Sequence, residues 1–184
     1  MEQQTNQYNP MQIIKRRFFA MRNGVVADVL RRGGSPYRII FGLNLPQIVE
    51  IASSTESSRD LAEALWANDT TRESRLAAPM IMPREDFPIE DARRWVSTIL
   101  DRETADILCH RLLRHTPYAR ELARELSKLD GMALYTGIRL AANLVYTHTD
   151  EAAEIASDVL SKSPDQQIGQ IARQIIEEKE FLKA

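Results

Sequence analysis

The sequence predicts an all-α fold, an α-solenoid of antiparallel helix pairs. Three observations carry that expectation. Apolar residues recur at helical spacing in one segment after another, and no set of alternating strands interrupts them. Most of the 7 glycines and 8 prolines fall between those segments rather than inside them. Pairs of helical segments begin near residues 57, 88, 117 and 150, spaced by 31, 29 and 33 residues. A helix-pair period in that range suggests stacked repeats, in which neighbours bury each other's apolar faces. The self-similarity between pairs is weak, so a non-repetitive helical bundle stands as the alternative.

The elements follow in order. Asn9-Pro10 opens a helix as N-cap and first-turn proline, through MQIIKRRFFAMRN to Gly24. VVADVLRR follows and ends at Gly33-Gly34, and SPYRIIFGLNL is the one stretch that reads as a strand or extended loop. Pro46 starts PQIVEIASS. Ser57 is placed to cap DLAEALWAN, and Thr70 or Thr71 to cap RESRLAAPMIM. Pro79 inside that last run should kink or end its helix. Pro83 and Pro88 bracket REDF as a loop, and Pro88 starts IEDARRWVSTIL, followed by ETADILCHRLLRH. Pro117 starts YARELARELSKL, followed by GMALYTGIRLAANLVYTH. Asp150 is the expected cap of EAAEIASDVLSK, and Pro164 starts DQQIGQIARQIIEEKEFL. The chain reads as one helical-repeat domain, 1–184, with 10–45 as N-terminal helices and connecting loop and 46–184 as helix pairs.

Composition bounds the rest. Hydrophobic residues at 43% and charged residues at 27% are ordinary for a globular chain. A single cysteine excludes an internal disulfide framework and suits a reducing cytoplasm, the expected location. No apolar run approaches a membrane span, and the polar opening MEQQTNQYNP has no signal core, so no membrane role is expected. The net charge of −2 hides an asymmetry: residues 150–184 carry 4 Lys/Arg against 8 Asp/Glu, whereas residues 11–38 carry seven basic side chains against Asp28 alone. Such a basic segment attracts polyanions, or is simply a solvated helix pair.

ETADILCHRLLRH holds acid, thiol and imidazole together: Asp106, Cys109 and His110. At 100° per residue, with Asp106 at 0°, His110 falls at about 40° and Arg114 at about 80°, while Arg111 falls at about 140°. Cys109 lies on the apolar arc with Leu108, Leu112 and Leu113, which predicts a buried, inert thiol rather than a nucleophile. His115 and His148 show no zinc-like spacing, so neither a metal nor a cofactor is expected. Trp66 and Trp95 occupy apolar positions and read as core.

YRIIFGLNLPQIVEIA and DLAEALWANDTTRESRLAA resemble the AlkD-type DNA alkylation-repair proteins, HEAT-like helical solenoids that remove alkylated bases as DNA glycosylases. The likeness rests on Phe41-Gly42-Leu43, on Leu65-Trp66, on Arg72-Glu73-Ser74-Arg75 and on helix order over roughly residues 10–150. That family carries Trp-Asp-x-x-Asp at the start of a helix, and the matching segment is Ala105-Asp106-Ile107-Leu108-Cys109. The tryptophan is replaced by Ala105 and the catalytic carboxylate by Cys109. A thiol does not stabilise an oxocarbenium-like sugar cation as a carboxylate does. The resemblance therefore implies impaired catalysis, with Asp106, Tyr135 and Arg139 as the nearest candidates for site residues. Arg72, Arg75, Arg111, Arg114 and Arg139 fall on the second helices of successive pairs, where the resemblance implies a track for the phosphates of duplex DNA. Pairing with local acids such as Glu73, Glu103 and Asp106 is the competing role for these arginines. Two function classes remain: a DNA alkylation-repair-like protein that binds DNA with weak or no glycosylase activity, or a helical-repeat scaffold for a protein partner.

Overall fold

A computed structural model describes residues 9–162 and 164–183. The polar opening MEQQTNQY lies outside the described residues. The described chain is all-helical, and its packed pairs are compatible with a solenoid. It divides into two compact units, Met1–Pro83 and Arg84–Ala184. The boundary falls in the proline-bracketed segment read as a loop, where Arg84–Asp86 form one 3₁₀ turn. No helix among the described residues is long and apolar enough to cross a membrane.

In the first unit, α1 (Pro10–Ala20) starts where Asn9 accepts a hydrogen bond from the Met11 amide at 2.9 Å. Asn23 caps α2 (Gly24–Arg32) in the same way, through the amides of Val25 and Val26. The extended segment after it makes a single parallel bridge, Ile39 to Thr71, and forms no strand. Asn44 and Gln47 form a reciprocal capping box on α3 (Leu45–Ser53), satisfying two otherwise orphaned amides. Next come α4 (Arg59–Ala67) and α5 (Arg72–Ile81), which pack on each other, with α3 also against α5.

Three local expectations change. Ser58, not Ser57, caps α4, accepting from the Leu61 amide at 3.3 Å. Ser57 instead donates to the Ile81 carbonyl at 2.9 Å, satisfying an acceptor at the far end of α5. Thr71 does occupy the N-cap of α5 but makes no side-chain cap bond. Pro79 does not end that helix, which runs on to Ile81 with the Met82 amide on the Ala78 carbonyl. A proline this close to the C-terminus removes one amide bond and leaves the last turn otherwise intact.

The second unit comprises α6 (Ile89–Ser97), α7 (Arg102–Arg111), α8 (Ala119–Leu126), α9 (Gly131–Leu144), α10 (Thr149–Ser161) and α11 (Gln166–Lys183). Leu112, at φ −125° and ψ −66°, ends α7, and Leu113–His115 turn as 3₁₀, so Arg114 leaves the helix its wheel position assumed. His148 rather than Asp150 occupies the N-cap of α10. Asp150 is the second residue of the helix, in its first turn, and pairs with Lys179 at 2.8 Å. Asp165 accepts from the amides of Gln167 and Ile168 at the start of α11. α8 packs on α9 and α10 on α11, while α7 lies mainly against α9. Gly137 makes the α8–α9 contact close: a Cβ there would stand 2.6 Å from the Ser127 amide nitrogen. Trp95 is fully buried edge-on to Phe87, and Trp66 is also core.

The repeat interval is visible in side-chain pairs. Arg93 on α6 holds Glu125 on α8 at 2.7 Å, 32 residues on. Arg120 and Arg124 on α8 hold Glu151 and Glu154 on α10, 31 and 30 residues on. Tyr118 donates to the Phe87 carbonyl across 31 residues. The first helices of successive pairs are thus joined by contacts at one nearly constant separation.

Candidate nucleic-acid interface

α7 and α9 lie side by side, and each turns a polar row toward the other. On α7 the row is Asp106 and His110, extended past the helix end by Arg114. On α9 it is Tyr135, Arg139 and Asn143, spaced four residues apart so that they share one face. Asp106 is the centre. Its Oδ1 accepts from the Tyr135 hydroxyl at 2.8 Å and lies 2.7 Å from Arg139 Nε. Arg139 Nη2 also donates to the Tyr135 oxygen at 3.1 Å, closing a three-membered cluster. The Asp106 side chain is 41% exposed and that of Arg139 28%, so the cluster opens to solvent on one side. The Arg102 guanidinium lies 5.1 Å above the Tyr135 ring.

Burial pushes the Asp106 carboxyl above its ordinary value, while the Arg139 charge and the Tyr135 hydroxyl pull the other way. Burial also raises the Tyr135 phenol. Burial opposes the charge of Arg139, yet the Tyr135 hydrogen bond and the Asp106 carboxylate outweigh it and keep the guanidinium protonated.

Beyond the cluster, His110 Nδ1 stands 3.1 Å from Asn143 Oδ1 and 3.4 Å from Arg114 Nη1. Asn143 in turn donates to the Arg139 carbonyl at 2.8 Å. Arg114 donates through Nε to His115 at 3.2 Å, and burial together with the charge of Arg84 lowers the His115 imidazole. Arg111 is half-buried, with an Nε that finds no hydrogen-bond partner among the described residues.

The structure therefore brings together Asp106, Tyr135 and Arg139, with Arg114 further along the same face. Arg72 and Arg75 are a correction. They are 4% and 3% exposed, inside the first unit. Arg72 bonds Glu73 and the Leu43 carbonyl, and Arg75 stacks 4.4 Å over Trp66. The reason is that α5 is buried on nearly every side, so its arginines have no solvent face to offer. Sequence reasoning did not single out Arg102 or Asn143. The four-residue spacing of Tyr135, Arg139 and Asn143 was the signal available for Asn143.

Cys109 is fully buried, with Sγ 3.5 Å from the Thr136 carbonyl. Burial and the nearby Asp106 charge push its thiol up, so no thiolate is at hand. Cys109→Ser should cost on the order of 1 kcal/mol, because the hydroxyl must be buried but meets a carbonyl that accepts it. Chemical denaturation measures the cost. Thiol labelling of the native wild-type protein should proceed only on unfolding, and rapid native labelling would contradict the burial.

Packed helices with a regular interval between partner residues define, among the described residues, an all-helical protein compatible with a solenoid. Residues 14–165 match the profile of the family described as DNA alkylation repair enzyme, and the chain belongs to that family. No curated protein and no solved structure matches it.

Proposed function

We propose that this protein is a DNA-binding member of the alkylation-repair family that does not excise alkylated bases efficiently. The observation that supports the reading is the state of Asp106. Cys109 stands where the family's carboxylate would act, and Asp106 is the carboxylate nearest to it. Its charge is already matched by Arg139 at 2.7 Å and by the Tyr135 hydroxyl. A carboxylate neutralised in place offers little field to a developing sugar cation. Arg114, further along the same face, and the half-buried Arg111 are the guanidiniums left for phosphate contacts.

Incubation with duplex DNA carrying N3- or N7-alkylated purines should release no base at an appreciable rate. Release as fast as by a family member with the intact motif overturns the inactive reading. Binding to duplex should be independent of sequence and fall steeply with salt, since each neutralised phosphate contributes a slope of about 0.9 in the logarithms. Arg111→Glu with Arg114→Glu should weaken binding and flatten that slope by about two such contributions. No binding even at low salt would leave the protein-interaction scaffold as the reading.

A further inference from the structure

We propose a second binding site on the N-terminal helix pair, a groove that takes an unpaired nucleotide of a single-stranded nucleic acid. Residues 11–38 carry Lys15, Arg16, Arg17, Arg22, Arg31, Arg32 and Arg38 against Asp28 alone, the densest positive charge in the chain. Within that field lies a groove of about 540 Å³ between the end of α1, α2 and the extended segment. Its apolar lining includes Ala27 and Ile40, both buried, and the half-buried Phe41.

The polar chemistry sits at the rim. The Arg22 guanidinium lies 3.8 Å over the centroid of the Phe19 ring and donates to the Phe19 carbonyl at 2.8 Å, so the cation is held against one face of the ring. Phe19 is nonetheless 54% exposed. On the other side, Arg31 is held by Asp28 at 2.8 Å and reaches the Ile40 carbonyl at 3.4 Å, with half its side chain still in solvent. Gly24 adds no side chain to the lining. Two preplaced guanidiniums and an exposed aromatic ring around an apolar lining fit a ligand that is both planar and anionic. A base stacks on the exposed aromatic surface of Phe19 or on the guanidinium that covers its other face, and its flanking phosphates meet the arginines. A duplex keeps its bases stacked inside, so it uses only the charge. This site is distinct from the α7–α9 face and does not depend on it.

The test uses the full chain and a labelled oligothymidylate of about ten nucleotides. Wild-type protein should bind the strand, and Phe19→Ala and Arg22→Gln should each weaken it about tenfold while duplex binding changes little. Both side chains are exposed, so the fold survives their loss. Arg111→Glu with Arg114→Glu should leave strand binding intact, which separates this site from the duplex face. Unchanged affinity in Phe19→Ala overturns the proposal. So does an equal loss for strand and duplex, which means charge alone. The outward-facing Val25 and Val29 supply a contrary outcome. Binding to anionic phosphatidylserine vesicles that is lost in Val29→Asp, with no strand binding, would assign the surface to lipid instead.

Discussion

Glu73→Ala should destabilise the protein by about 3–5 kcal/mol, the range for breaking a buried charge pair from one side. Glu73 is completely buried. Its carboxylate accepts from the amides of Phe41, Gly42 and Leu43 at 3.1, 2.9 and 3.3 Å, and from Arg72 Nη1 at 3.1 Å. Arg72 closes the arrangement by donating to the Leu43 carbonyl at 3.1 Å. Truncation takes the acceptor from three backbone amides and removes the carboxylate bound to the buried Arg72 guanidinium. Glu73→Gln keeps an acceptor oxygen and should fall between the two. Removing both side chains' charges in Arg72→Met with Glu73→Ala should recover part of the loss, since the buried guanidinium is removed along with the carboxylate that balances it. Urea denaturation measures each variant. A loss under about 1 kcal/mol for Glu73→Ala would show that the carboxylate does not hold the segment.

Gly42→Ala should be comparably severe, for a steric reason. Gly42 has φ +80°, a conformation that costs an L-residue roughly 1 kcal/mol or more. A Cβ there would stand 2.1 Å from the Asn23 carbonyl oxygen and 2.7 Å from the Ala27 amide nitrogen. Both are backbone atoms, and Asn23 and Ala27 are respectively the cap and an interior residue of α2, so relief requires moving that helix. We expect a fall in melting temperature of about 10 °C or more, given roughly 2–4 °C per kcal/mol at this chain length. Calorimetry reads it where the variant is soluble. Where it is not, a destabilised first unit should show in rapid proteolysis between residues 9 and 83. A melting point within a few degrees of wild type would mean that α2 yields easily.

These two residues also explain why the family likeness was readable. Phe41-Gly42-Leu43 and Arg72-Glu73 are about 30 residues apart in sequence and are two halves of one interior lock. They mark how the first unit is held together. The helices themselves were legible because their signals are local: Asn9 before Pro10 was read as a cap and is one, while the caps Asn23 and Asn44 follow the same rule and were not singled out. The slips were also local. Ser57 and Ser58 are both competent caps, and only the Ile81 carbonyl decides which is engaged elsewhere. The wheel placed Asp106, His110 and Arg114 on one face, but nothing within α7 names the side chains that meet them. Tyr135 stands 29 residues away from Asp106, and its contact exists only once the pairs have packed. Arg72 and Arg75 illustrate the converse error. An arginine's charge suggests solvent until a neighbouring carboxylate or a tryptophan face is seen to receive it.

The seam of arginines and glutamates joining α6, α8 and α10 makes the second unit unequally tolerant of changes in chain length. A residue gained or lost within a helix rotates everything after it by about 100°. Within α8 such a change would turn Arg120 and Arg124 toward one side while Glu125 stays bound to another, so both seams could not remain closed together. The same change in a connecting turn is absorbed there and reaches neither. Excising a stretch equal to one full interval would instead present each arginine with the next glutamate in line. Length variation in this unit is therefore graded by position and by multiple, with the loops free to drift and the helices free to change only by whole units.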